Sequence, residues 1–380
     1  MQKMRLLLIT PEYPPHNIGG GGVAMKNLVH ALLNYDVSVT VVSGYYKSDS
    51  FNGASWSDES NSHELYYLPM VKNFLNAPLF TTRMPASSNS VKFLKEMLLE
   101  KKFDCAIVMG GFEPFSVQMS WELKKKGVPY FVDVQGFPEE HQYSSLINFI
   151  FRQYKKFILH NYFLNSQRVI VTSDHMLPEY QPAIIPNGIF IDEFAKVTPI
   201  DLHSEFSIPA NSKILVSVGR LHSQKGFQHV IPAVNSLKNV YYIIVGPEDG
   251  YEKQLSKMSG PNVIFAGKKN KEEIIGILKA ADIVIIPSLV EGFGIVGLEA
   301  MAAERPIIAN PVGGLLQFLK NNETAMLVDV TQQETLKEKI LFLLDNNDIA
   351  AKIARNAKIS AARYDWSIIA KQFIELIQKM

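Results

Sequence analysis

Four side chains in the second half of the sequence have the types and spacing of a small-molecule site. Glu291 and Glu299 sit in PSLVEGFGIVGLEAM (287–301), a stretch made mostly of apolar residues and glycine. Arg220 and Lys225 flank a turn closed by Gly226 in VGRLHSQKGF (218–227). A planar guanidinium fork and a point-charge ammonium together suit a diphosphate. A carboxylate accepts hydrogen bonds from vicinal hydroxyls, so two carboxylates suit a polyhydroxylated ligand. The composite ligand is a nucleoside diphosphate joined to a sugar. The same stretch spells G-x-G-x-x-G through Gly292, Gly294 and Gly297, the dinucleotide fingerprint. That fingerprint normally opens a nucleotide-binding unit and is followed about 20 residues later by an acid at the next strand's end. Here the next strand, RPIIAN (305–310), ends in Asn310 and Pro311. The glycines therefore read as packing and backbone access, and the carboxylates as the signal. A further glycine loop, PEYPPHNIGGGGV (11–23), holds His16 and precedes a helix expected from about Val23. Its backbone N–H groups would come close to an anion. Without a ligand, the same residues would make a flexible surface loop and a solvated basic turn.

These loops need a scaffold that presents them together. Short apolar runs alternate with segments of helical period. MRLLLI (4–9), VSVTVV (37–42), DCAIVM (104–109), YFVDV (130–134) and RVIVT (168–172) read as strands. After IIPNGI (184–189) the pattern restarts with KILVSV (213–218), VYYIIV (240–245), NVIFAG (262–267), DIVIIP (282–287) and RPIIAN. Nearly continuous apolar strands separated by helices mean parallel sheets covered on both faces. The expectation is α/β, with two Rossmann-like doubly wound domains facing a central cleft. The first covers 1–185, with the closing helix 365–380 returning to it; the second covers 186–364. A chain of 380 residues is long enough for two cores. Ligands in such sheets bind beyond the carboxyl ends of the strands, where each glycine or cation loop leaves its strand.

Composition narrows the rest. A net charge of +1 gives no bulk attraction for nucleic acid. The single cysteine, Cys105, lies in an apolar strand and reads as a structural thiol. No Cys/His spacing points to a metal. The opening MQKMRLLLITPEYPP has too short an apolar run for a signal peptide, and no run approaches the ~18 residues that span a bilayer. The expected location is the cytoplasm.

Taken in order, the motifs resemble the retaining GT-B glycosyltransferases of family four, the group 1 glycosyltransferases. The resemblance rests on the glycine loop after strand one, PNG (186–188), VGR…KG (218–226), VGP (245–247), ADIVIIPS (281–288), E-x7-E at Glu291 and Glu299, VGG (312–314) and YDW (364–366). It implies that Glu299 binds the donor's ribose and Glu291 the transferred sugar. It implies that Arg220 and Lys225 hold the diphosphate and offset leaving-group charge. Gly292, Phe293 and Gly294 would lend backbone N–H groups, Gly20 and Gly21 would approach the phosphate, and the main chain at Gly267 and Lys268 would face the base. The donor would be UDP- or GDP-linked, with no cofactor or metal. The acceptor would be a glycan or lipid-linked glycan, as in the synthesis of cell-surface polysaccharides or glycolipids. Many relatives carry a histidine in the loop that here reads VDVQGFPEEHQ (132–142), which leaves Asp133, Gln135 and His141 beside His16 as acceptor-side candidates. Gln317 and Ala325 replace a Glu and a Gly of the family pattern. Other GT-B chemistries (an epimerase or phosphorylase), an NAD-dependent oxidoreductase and a non-catalytic sugar-nucleotide binder are the rival readings.

One segment stands apart. SLINFIFRQYKKFILHNYFLNSQR (145–168) places Ile150, Phe151, Tyr154, Phe157, Ile158 and Tyr162 at helical spacing, with Arg152, Lys155 and Lys156 opposite. A basic, aromatic amphipathic helix of this kind lies on an anionic bilayer or packs on its own sheet.

Overall fold

The computed structural model describes residues 3–15, 20–45, 55–57, 63–70, 85–136 and 145–379. It divides into two compact units. One is Met1–Asn187 with Trp366–Met380, and the other is Gly188–Asp365.

The first unit is built on strands β1 (Met4–Thr10), β2 (Val37–Tyr45), β3 (Ser55–Ser57), β4 (Glu64–Pro69), β5 (Cys105–Met109), β6 (Tyr130–Val134), β7 (Arg168–Val171) and β8 (Ala183–Ile184). They form one sheet in the order β3-β4-β2-β1-β5-β6-β7-β8. Only β3 runs antiparallel to its neighbour. β5 and β6 are buried along their whole length, as strands covered on both faces must be. Burial pushes the Cys105 thiol up to about 12, so it stays protonated and inert. The last helix, Trp366–Ile377, lies against helix Gly20–Leu32, with Trp366 buried and Tyr35 Oη donating to the Ser367 carbonyl at 2.7 Å.

The second unit carries β9 (Lys213–Val218), β10 (Val240–Val245), β11 (Val263–Gly267), β12 (Ile283–Ile286), β13 (Ile307–Ala309) and β14 (Met326–Leu327), all parallel, in the order β11-β10-β9-β12-β13-β14. Alternate side chains go to opposite faces: Ile214 and Val216 enter one core and Leu215 the other. In this sheet the strand order reverses between β9 and β12; in the first it reverses between β1 and β5. Those points are where a doubly wound sheet opens a crevice for ligand.

The 145–168 segment departs from one regular helix. Helix Ser145–Tyr154 runs into a π turn, Lys155–Leu159, and resumes as His160–Leu164 before β7. The π turn holds one residue more than an α turn and so shifts the phase of the stripe. Phe151, Leu159, Tyr162 and Phe163 face the core, while Phe149, Ile150, Phe157 and Leu164 are exposed alongside Arg152 and Lys156. The clean separation of apolar and basic sides expected from spacing does not hold, because the apolar residues divide between the two faces.

Candidate functional site

In the second unit the loops after β9 and β12 meet at the reversal point. Gly226 has φ +74°, and a Cβ there would lie 1.8 Å from the Pro287 carbonyl oxygen. Only glycine allows the two backbones this close. The Leu289 N–H donates to the Gln224 carbonyl at 2.8 Å and ties the loops together. Across this joint Lys225 Nζ reaches Glu291 Oε2 at 2.7 Å, and Ser288 Oγ donates to the same oxygen at 3.1 Å. Asn310 Nδ2 holds the Ser288 carbonyl at 3.0 Å. The Asn310 that fails to supply a dinucleotide acid thus braces the Glu291 loop. Arg220 Nη1 is held by Asp249 Oδ2 at 2.7 Å, on an exposed part of the same rim. Neither Asp249 nor Ser288 stood out in the sequence, because their partners lie on other loops.

The glycines after Glu291 pack closely. Gly294 caps helix Ile295–Ala302 at φ +89°, and a Cβ there would meet Leu315 Cδ2 at 2.4 Å. A Cβ at Gly297 would meet Phe318 at 2.7 Å. The VGG turn lies behind them. The Gly314 N–H donates to the Glu291 carbonyl at 3.1 Å, and a Cβ at Gly313 would sit 2.0 Å from that oxygen. Phe293 is buried, its ring 5.3 Å from Phe318 and 6.4 Å from Tyr364, so only its backbone is open to a ligand role. Gln317 lies in the short helical turn after VGG, and Ala325 is fully buried.

Glu299 stands past the first turn of the helix that Gly294 opens. Its carboxylate accepts no hydrogen bond among the described residues. Desolvation pushes its pKa up from 4.5 to about 7, with Glu193 adding to the rise and Lys271 opposing it. Lys271 and Glu193 form an ion pair, and the Lys271 ammonium lies 5.3 Å from the Phe190 ring centroid. Lys271 opens a helix fixed by a capping box between Asn270 and Glu273. Immediately before it lie Gly267, at φ +67° with open space around its Cα, and the exposed Lys268.

The first unit gathers a different set. Helix Gly20–Leu32 starts at Gly20, three residues earlier than about Val23, so the glycines form its first turn. Glu12 Oε1 accepts the Gly22 N–H at 3.1 Å, a carboxylate on a helix start. A Cβ at Gly21 would meet Met109 Cε at 2.3 Å and lie 3.6 Å from Gln135 Cβ, while Gly20 is open. Gln135 Nε2 donates to Asp133 Oδ2 at 2.8 Å, and Gln135 Oε1 accepts from Asn187 Nδ2 at 2.7 Å. Asp133 is fully buried at the end of β6, its Oδ1 without a partner. Burial pushes its carboxyl up to about 7, against the opposing Gln135 bond. Gly21, Asp133 and Gln135 are therefore neighbours, joined by Glu12 and by Asn187 of the PNG motif, whose contacts spacing alone does not show. The buried Glu113, accepting the Phe112 N–H at 3.0 Å, adds another acid after β5. His16 and His141 lie outside the described residues.

Residues 200–360 match the family described as glycosyl transferases group 1. An uncharacterized glycosyltransferase of Methanocaldococcus jannaschii is 25% identical over 399 residues, covering 98% of this chain and 97% of that one. The D-inositol 3-phosphate glycosyltransferase of Corynebacterium urealyticum is 31% identical over 216 residues, about half of each chain (52% and 51%). Among solved structures, sucrose-phosphate synthase of Thermosynechococcus elongatus superposes with a TM-score of 0.76 at 20% identity over 99% of this chain and 98% of that one. The Anabaena protein HepE in complex with UDP gives 0.76 at 19% over 99% and 100%. At these identities the superpositions establish the fold, GT-B.

Proposed function

We propose that this chain, whose residues 200–360 match the glycosyl transferases group 1, moves a sugar from a nucleotide diphosphate donor to a hydroxyl of a glycan or lipid-linked glycan. The observation that carries the reading is the Lys225–Glu291 contact, 2.7 Å across the reversal point of the sheet, with the unpartnered Glu299 one helix turn beyond. Arg220 and Lys225 take the diphosphate, Glu291 the transferred sugar and Glu299 the ribose hydroxyls. The backbone of Gly292, Phe293 and Gly294 and the start of helix Ile295–Ala302 add N–H dipoles for the same charge. Gly267 and Lys268 offer main chain to the base. In the first unit, Gly20 and Gly21 offer backbone N–H groups to a phosphate, and Asp133 and Gln135 are acceptor-side groups.

The reaction in this reading retains configuration. The anomeric carbon–phosphate oxygen bond breaks towards an oxocarbenium-like state, and the nucleotide diphosphate leaves. The acceptor hydroxyl attacks the same face and passes its proton to the leaving phosphate. Preorganised cations, stronger in a partly buried site than in water, stabilise the charge that develops. The nucleotide sugar is a co-substrate, and this scheme uses no cofactor or metal.

UDP is the first ligand to test, since structural neighbours are described as UDP complexes. Isothermal titration is expected to show UDP binding and no NAD(H) binding; the reverse would restore the oxidoreductase. Glu299→Gln is expected to weaken UDP by about tenfold or more, the scale of a lost charged hydrogen bond. It carries a second signature. A carboxyl raised in the folded state binds its proton more tightly there, so it costs stability as pH climbs from 4.5 to about 7, and in full above that. Glu299→Gln should therefore melt higher than wild type at pH 8 and level with it near pH 4. Unchanged UDP affinity in this variant would remove Glu299 from the site.

The outward face of 149–164 supports a peripheral membrane contact, on the cytoplasmic side, where a lipid-linked acceptor would be met. Phe149, Ile150, Phe157 and Leu164 are each more than half exposed (51–63%), beside Arg152 and Lys156. Exposed aromatic and aliphatic groups with basic neighbours suit an anionic interface. No helix among the described residues is long and apolar enough to cross a membrane. Flotation with vesicles containing anionic lipid at low salt is expected to carry the protein upward, and Phe149→Ser with Phe157→Ser to abolish this. No flotation of the wild type sinks the contact.

A further inference from the structure

A cavity of about 380 Å³ opens at the pole of the second unit opposite the Lys225–Glu291 loops. One wall comes from the amino ends of three strands: Lys213 opens β9, Asp282 precedes β12, and Arg305 precedes β13. The other wall is the joint between helices Gln333–Asp345 and Asn347–Ala361. The six residues of β9, at about 3.3 Å each, put roughly 20 Å between this cavity and the loop that carries Arg220. It is a separate place with its own chemistry.

The charges in its lining do not cancel. Asp282 has both oxygens occupied, Oδ1 by Lys213 Nζ at 3.1 Å and Oδ2 by the Ile214 N–H at 2.8 Å. Glu304 pairs with Lys358 at 2.7 Å. Each acid thus has its own lysine, and two guanidiniums are left over. Arg355 is exposed and makes no hydrogen bond or ion pair among the described residues. Arg305 is half-buried and donates only to backbone, from Nε to the Ala303 carbonyl and from Nη1 to the Ala281 carbonyl, each at 3.4 Å. Those bonds are long for N–H···O contacts, yet they hold the plane of the fork and leave Nη2 unengaged. The lining also includes the apolar Leu343, Leu344 and Ala354.

We infer that this cavity binds a small phosphorylated metabolite, its phosphate between Arg305 and Arg355 and its organic part against the Leu344 side of the lining. Two forks match a dianion; a lone carboxylate would leave one of them without a counter-charge. A guanidinium engages phosphate oxygens through two parallel bonds, which fixes orientation as well as charge. The reading is independent of the donor site.

Isothermal titration of the full chain with inorganic phosphate at pH 8, where it is a dianion, tests this at low ionic strength. Saturable binding is expected. Arg355→Gln should weaken it at least tenfold, and Arg220→Gln, at the other pole, should leave it unchanged. Arg355 is exposed, so its variant is expected to melt with the wild type; Arg305→Gln provides the second arm. Acetate at the same concentration should not compete. Absence of saturable binding to the wild type, unchanged binding by Arg355→Gln, loss on Arg220→Gln, or equal competition by acetate would each overturn the assignment.

Discussion

Lys225→Ala is expected to lower donor turnover by about 10²–10³-fold, the usual cost of losing one preorganised group from a site where charge develops. The ammonium is three-quarters buried and engages a carboxylate that is more buried still (24% and 17% exposed). It is placed by Gly226 and by the loop bonds around Gln224, so neighbouring side chains cannot swing in to replace it. On the proposed mechanism its charge matters most when the diphosphate leaves, and the loss should therefore fall on kcat more than on KM. Glu291→Gln removes the opposite partner and leaves Lys225 in place, so it separates the pair's two roles. If Lys225 merely neutralised Glu291, the Lys225→Ala, Glu291→Gln double variant would recover near wild-type turnover. Steady-state donor consumption, once the donor sugar is found, decides between these outcomes, and such recovery would remove Lys225 from the reaction.

The second large effect is on stability. Gly226→Ala combines a left-handed backbone (φ +74°) with a Cβ placed 1.8 Å from the Pro287 carbonyl oxygen. The conformation costs an L-residue roughly 1–2 kcal/mol, and forced separation of packed groups adds about 1–3 kcal/mol. A total near 3 kcal/mol corresponds to a melting point lower by about 6–12 °C for a domain of 150–250 residues. Gly267→Ala is the control. Its φ is +67°, yet nothing lies within 4 Å of the added methyl. It should cost only the conformational part, about 1–2 kcal/mol. Thermal melts of the two variants side by side separate strain from collision. Equal melting points would mean that the β9 and β12 loops are not held against each other.

These contrasts mark what could be read from residues alone. β6, β9 and β10 fall on YFVDV, KILVSV and VYYIIV without change of bounds, because a parallel strand buried on both faces writes itself as an unbroken apolar run. β8 and β14 have two residues each and carry no such run. β4, ELYYLP, lies between β3 and β2, mixes polar and apolar positions and has no clean period. In the candidate site, the types and positions of Arg220, Lys225, Glu291 and Glu299 were visible, but their partners were not. Asp249, Ser288, Asn310, Glu12 and Asn187 act through contacts set by turn geometry, and sequence spacing does not encode that. The start of helix Gly20–Leu32 was hidden for a related reason. Glycine is a poor helix former, and here the Glu12 carboxylate accepts the Gly22 N–H in the first turn.

The Arg220–Asp249 and Lys225–Glu291 pairs mean that the free second unit already answers its own cations with carboxylates. Ligand entry is then an exchange of counterions, in which both acids must be displaced or find new donors. A lone halide or single carboxylate offers no more than the acid it would evict and gains little. On the proposed reading a diphosphate would meet both cations at once, while the sugar's hydroxyls would give Glu291 new partners. On that reading the self-paired state would act as a filter, favouring a ligand that engages both cations over a small lone anion.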